Sequence, residues 1–165
     1  MPDTDDGGVT IRPATTGDTD RIIELIRGLA EYEKAPEQAV ATAQDIDKAL
    51  FQANPRVHAL MSDIDGRSIG FALYFFNFST WTGKSGVYLE DLFVEPAFRG
   101  HGAGKALLKE IARIAVSNDC ARFEWSVLDW NEPAIKFYEA FGARPQTEWV
   151  GYRLTGQALR DFANS

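Results

Sequence analysis

Residues 88–116 read YLEDLFVEPAFRGHGAGKALLKEIARIAV, and the order of that stretch decides the fold. The apolar run from Tyr88 to Val94, with Glu90 and Asp91 inside it, reads as a strand. A turn follows, with Pro96, Arg99 and three alternate glycines, Gly100, Gly102 and Gly104. Ala103, Ala106, Leu107, Ile111, Ile114 and Ala115 then recur at helical spacing. A glycine-rich turn at a helix start exposes unpaired N–H groups at the positive end of the helix dipole, which suits phosphate or pyrophosphate. Glycine matters there because a Cβ would block close approach of the phosphates or forbid the backbone angles of the turn.

Spacing excludes two common phosphate loops. A P-loop needs glycine five residues before the Gly-Lys pair and Ser or Thr after it. Before Gly104-Lys105 that position is Arg99, and Ala106 follows; before Gly83-Lys84-Ser85 it is Phe78. A dinucleotide fingerprint begun at Gly100 and Gly102 would need glycine where Lys105 stands. What remains is Arg-x-x-Gly-x-Gly, from Arg99 through Gly102 to Gly104, directly after a strand. It resembles the coenzyme A pyrophosphate loop of the GNAT acetyltransferase superfamily.

Composition narrows the partners. At 165 residues the chain is long enough for one domain with a real core. Seventeen basic against 24 acidic residues leave −7, which argues against a nucleic-acid surface and favours a cationic partner. The single Cys120 permits no internal disulfide and no cysteine metal cluster, consistent with a reducing compartment. No apolar stretch reaches transmembrane length, and the acidic start is unlike a signal peptide. The expectation is a cytoplasmic protein without membrane or nucleic-acid partners, with a flexible tail over residues 1–8 and a single domain over 9–165.

In chain order, Val9 to Arg12 reads as a first strand and Asp18 as the cap of a helix with Ile22, Leu25, Ile26 and Leu29 on one face. Thr42 with Asp45 resembles a capping box for a second helix through Phe51. Val57 to Ile64, Ile69 to Phe78 and Tyr88 to Val94 form an expected antiparallel meander, with Asp65-Gly66 as a hairpin turn. Arg122 to Leu128 is a further strand and Trp149 to Leu154 a last one; Thr155 starts a terminal helix. The fold class is α/β, a mixed and mostly antiparallel sheet flanked by helices.

A second segment, LDWNEPAIKFYEAFGA from Leu128 to Ala143, places Asn131 at a strand–helix junction and Tyr138 two turns into the helix. Its pattern Asn-x-x-Ala-x-x-x-Tyr-x-x-x-Gly resembles the GNAT segment that closes the other wall of the coenzyme cleft. LAEYEKAPEQ, FSTWTGK, YLEDLFV and VLDWNEP together are similar to the diamine (spermidine/spermine) acetyltransferase family, and within it to the thialysine N-epsilon-acetyltransferases. The resemblance spans roughly Val9 to Leu154.

It implies splayed central strands around a coenzyme A cleft, acetyl-CoA as cosubstrate, and a homodimer. By this resemblance, backbone groups of Leu92, Phe93 and Val94 hold the pantetheine arm. Arg99, Gly100, His101, Gly102, Ala103, Gly104 and Lys105 bind the pyrophosphate, and Asn131, Glu132, Pro133 and Ala134 contact the coenzyme. Tyr138 is the general acid. Tyr32, Glu33, Trp81 and Glu90 correspond to the acceptor site, with Asp91 beside it.

Chemistry supports an acid at that place. An alkylamine of pKa ~10.4 must lose a proton before attacking a thioester, and a carboxylate can bind the ammonium and accept that proton. Glu90 and Asp91 are adjacent in a strand, so only one lines the acceptor pocket unless a bulge re-aims the other. Glu90 is the favoured base, with a surface or capping role as the alternative for Asp91. Trp81 either packs along a methylene chain and meets a cation with its ring, or is simple loop packing. Cys120 reads as packing and His58 as core or surface; neither His58 nor His101 has metal-ligand spacing, so no metal is expected.

The expected activity is direct acetyl transfer in a ternary complex to a primary amine of a small molecule: a thialysine-like amino acid, a diamine or a polyamine. One departure bears on the acceptor. Val150-Gly151-Tyr152 stands where the family places an acidic residue before Gly-Trp, so a long polyamine loses one binding charge. A protein-lysine acetyltransferase and a non-catalytic coenzyme-binding regulatory module are the competing readings.

Overall fold

The computed structural model describes residues 8–165. The expected tail falls almost entirely outside those residues. The described chain clusters into two compact units, one ending at Ser126 and the other running from Val127 to Ser165.

The first unit is a five-stranded sheet in the order β1-β2-β3-β4-β5: Val9–Pro13, His58–Ile64, Arg67–Ser79, Lys84–Val94 and Arg122–Trp125. The first four strands are antiparallel and β5 joins β4 in parallel, which is the mixed sheet read from the sequence. Asp65 and Gly66, at φ of 50° and 77°, close the β2–β3 hairpin with the positive angles such a turn requires.

Helices α1 (Thr19–Tyr32) and α2 (Ala43–Phe51) cover one sheet face. Ile22, Leu25 and Leu50 pack there on Ala59, Met61, Phe71, Leu73 and Phe93. Helix α3 (Ala103–Ser117) covers the opposite face, where Ala103 packs with Val9 and Ile69. The Thr42–Asp45 capping box starts α2 as expected, with the Thr42 side chain accepting from Asp45 N–H. Asp18 does not cap α1 through its side chain. Its carboxylate instead receives Arg12 at 2.7 and 2.8 Å and Thr15 N–H at 2.7 Å, and the Arg12 guanidinium holds it down at about 2.

Glu95, the residue after β4, is held by Arg21 of α1 and by Arg67 of β3 at 3.0 Å. These pairs fix the base of the glycine loop against two other elements. The sheet is also tight at Gly70, where a Cβ would meet Phe93 O at 2.7 Å, Ser62 Oγ at 2.8 Å and Val94 Cγ2 at 3.0 Å. Backbone cannot yield as a flexible side chain can, so Gly70→Ala is expected to destabilise by about 1–3 kcal/mol. A lowered urea midpoint with an unchanged m-value would show it; an unchanged midpoint would contradict this packing.

The second unit holds α4 (Glu132–Ala140) and α5 (Gly156–Ala163). The strand expected over Trp149 to Leu154 is not formed; those residues belong to no regular element. Trp, Val, Tyr and Leu suit a pleated surface only when a partner strand supplies one.

Candidate active site

Strands β4 and β5 part company early. They pair only from Gly86–Arg122 to Leu89–Trp125, while β4 continues to Val94 along β3. The sequence placed the end of β5 at Leu128; the ladder stops three residues sooner. Residues 90–94 of β4 thus have no ladder partner on the β5 side, so their outward backbone groups, apart from the Val94 carbonyl that Arg99 holds, are open to an extended ligand. Leu92, Phe93 and Val94 lie on this stretch. Glu95 N–H donates to Ile69 O at 2.9 Å, so by alternation the Phe93 backbone also bonds β3 and Leu92 and Val94 face the open side; the Phe93 ring is buried and packs on Gly28 of α1.

The parting begins at a β-bulge. Tyr74 pairs with Leu89 and the preceding Leu73 with Asp91, so Glu90 is the extra residue. The bulge is the exception to simple alternation, under which only one of the two acids would line the site. Cross-strand partners share a face, so Asp91 lies with Leu73 on the α1–α2 side. Glu90 is exposed and Asp91 partly buried. Burial first, then the charges of Glu90 and Glu33, push the Asp91 carboxyl up from 3.8 to about 6. Glu33, just past the end of α1, is itself raised by burial. Glu33, Glu90 and Asp91 therefore form one acid cluster beside the split in the sheet.

Tyr32 stands next to this cluster, and the Arg99 guanidinium lies 4.6 Å above its ring and 5.7 Å from the Phe93 ring. Arg99 Nε also donates to Val94 O at 3.1 Å. The loop arginine thus turns back onto the end of β4 and the end of α1. Sequence spacing gave no sign of that contact. Trp81 is not brought to the cluster. It is 83 % exposed in the β3–β4 turn, at the opposite end of β4, and Asp91 lies roughly 20 Å farther along the strand.

Pro96–Phe98 make a short 3-10 turn, and Gly100 and Gly102 follow at φ of 86° and 81°. Gly102 is the N-cap of α3, so the N–H groups of Ala103, Gly104 and Lys105 open the helix without intrahelical acceptors. Nothing lies within 4 Å of a Cβ built at Gly100 or Gly104. The loop is an open cradle of backbone donors at a positive helix end, which fits a pyrophosphate. His101 Nδ1 sits 3.1 Å from Phe98 O and its ring is exposed, as is Lys105.

In the second unit Asn131 caps α4, its side chain accepting from Ala134 N–H at 3.4 Å, with Pro133 in the first turn. Tyr138 lies two turns on, its ring against Phe137 and Phe141. Among the described residues no group of three or more His, Cys, Asp or Glu side chains is placed to hold a metal ion. No helix among them is long and apolar enough to cross a membrane.

The acetyltransferase (GNAT) family model matches residues 22–143. A thialysine N-epsilon-acetyltransferase of Sus scrofa is 39 % identical, over 94 % of this chain and 97 % of its own. An L-ornithine N5-acetyltransferase of Arabidopsis thaliana is 31 % identical, over 91 % and 86 %. Among solved structures, an integron cassette protein from the mobile metagenome of V. cholerae superposes with a TM-score of 0.80 at 29 % identity, covering 96 % of this chain and 99 % of that one. With the split sheet, the glycine cradle and a family match over most of its length, the chain belongs to the GNAT family and is an N-acetyltransferase.

Proposed function

We propose that the protein transfers the acetyl group of acetyl-CoA to a primary amine of a small molecule, directly and in a ternary complex. The observation that supports this most is the acid cluster of Glu33, Glu90 and Asp91 beside the unpaired edge of β4. Three carboxylates around one point attract an ammonium group and repel anionic acceptors.

The proposed division of labour among them departs from the first reading of the sequence. Glu90, exposed on the bulge, binds the ammonium together with Glu33. Asp91 accepts the proton. Its carboxyl, held at about 6, is still ionised at neutral pH and is a stronger base than an ordinary aspartate. The freed amine attacks the thioester carbonyl carbon; the C–N bond forms as the C–S bond breaks. The outward N–H groups of Leu92 and Val94 stabilise the developing oxyanion. On the family resemblance, Tyr138 protonates the departing thiolate, Gly100 to Lys105 hold the pyrophosphate, and Asn131 to Ala134 complete the coenzyme site.

The relatives are named for thialysine and L-ornithine, amino acids with a side-chain amine. Together with Val150 in place of an acid, this favours a short amino acid or diamine over a long polyamine. A homodimer in the cytoplasm is part of the same proposal, and sedimentation of the purified protein tests its oligomeric half.

The test is acetyl-CoA-dependent thiol release across thialysine, lysine, ornithine, short diamines and spermidine, with Tyr138→Phe alongside. Turnover on a short amine, with kcat reduced about a hundredfold in Tyr138→Phe, is expected. Coenzyme binding with no turnover on any amine would instead favour a protein acceptor or a regulatory module.

A further inference from the structure

A cleft lies beside β1 and β2, away from the acid cluster. It offers about 400 Å³, open to solvent, and is lined by Ile11, His58, Leu60 and Tyr74 from β1–β3 and by Glu110 and Ile114 from α3, with Leu50 and Phe51 of α2 also in its wall. Leu73 packs toward α1 and α2, so its strand neighbour Tyr74 faces the other way, toward α3. The volume is that of an ordinary small-molecule pocket.

Its polar groups face open space. Tyr74 is 7 % exposed, and its hydroxyl reaches solvent without a hydrogen bond to any described residue. The ring stands 5.3 Å from His58 and 6.2 Å from Phe76, and His58 meets Phe76 edge-on at 5.8 Å, giving an aromatic wall. Glu110 supplies the facing charge, close enough that, after burial, it is what raises the Tyr74 hydroxyl's pKa. Arg113, one turn along, donates to one Glu110 oxygen at 3.2 Å from the helix surface. The other cation of the lining, Arg12, is already committed to Asp18 and Asp63. Glu110 keeps a second oxygen beyond the one that Arg113 holds.

We propose that this cavity is a second ligand site, for a small organic cation: an alkylammonium of a few carbons. Its head group donates to Glu110 and to the Tyr74 oxygen, over the π faces of Tyr74 and His58. Its aliphatic body packs on Ile11, Leu60 and Ile114. A neutral alcohol of the same length forfeits the charge interaction, and an anion meets Glu110. The proposal stands apart from the acceptor reading, because it uses none of Glu33, Glu90 or Asp91.

The chain contains two histidines, His58 in this cavity and His101 in the coenzyme loop, so its imidazole NMR spectrum has one reporter for each place. Titration of the full chain with n-butylammonium chloride is expected to shift the His58 signals to saturation and leave His101 in place. Glu110→Gln, a half-exposed helix position, is expected to weaken that binding at least about tenfold with no loss of thermal stability. Tyr74→Phe should weaken it severalfold, and 1-butanol should give no saturable shift. A flat His58 titration, a shift confined to His101, unchanged affinity in Glu110→Gln, or equal binding of 1-butanol would each overturn the proposal.

Discussion

Asp91→Asn is expected to lower kcat/KM for the amine by about a hundredfold or more while making the protein more stable at neutral pH. Both effects follow from one carboxyl. Burial and the charges of Glu90 and Glu33 raise it from 3.8 to about 6 in the folded protein. The folded state therefore holds the proton more tightly than the unfolded chain. Stability falls as pH rises from 3.8 to about 6 and stays reduced above that window. Asparagine removes the buried charge and regains about 1–3 kcal/mol at pH 7. Wild-type kcat/KM should lose activity on acidification with an apparent pKa near 6, and that limb should disappear in the variant. Glu90→Gln should chiefly raise KM for the amine. If instead Glu90→Gln abolishes the acid limb and Asp91→Asn keeps it, the base is Glu90.

Gly102→Ala is expected to raise KM for acetyl-CoA about tenfold or more, with a smaller effect on kcat. Gly102 is the α3 N-cap and sits at φ of 81°, in the left-handed region. A Cβ there costs about 1–2 kcal/mol and tilts the loop's N–H groups away from one another, which weakens their joint hold on a pyrophosphate. Gly104→Ala is the control. That position is inside α3, is not at positive φ, and has nothing within 4 Å of an added Cβ. It separates backbone strain from steric block: its Cβ can crowd the phosphates but leaves the loop's angles alone, so KM for acetyl-CoA should rise less than in Gly102→Ala, and the melting temperature should rise through better helix propensity. Calorimetry with coenzyme A would separate affinity from turnover. Equal affinity in Gly102→Ala and wild type would remove the loop from the coenzyme site.

Features that depend on a few neighbouring residues were legible in the chain. Thr42 with Asp45, Asn131 at the start of α4 and Asp65-Gly66 each settle their own backbone through interactions among a few neighbouring residues. The glycine loop and the α3 pattern were readable in the same way, and with them the class of fold. The relation between Glu90 and Asp91 was not. YLEDLFV alternates no differently with a bulge than without one, and the extra residue exists only because Leu73 and Tyr74 of another strand choose Asp91 and Leu89.

Sequence alone thus determined the order of elements from β1 to α4 and the glycine turn that opens α3, because local geometry is written residue by residue. Tertiary structure decided which acid is buried, that Arg99 closes over Tyr32, that Trp81 stays at the far end of β4, and that β5 ends at Trp125. Each of these depends on which distant segments meet, and pairing and burial are set by the partner as much as by the residue itself.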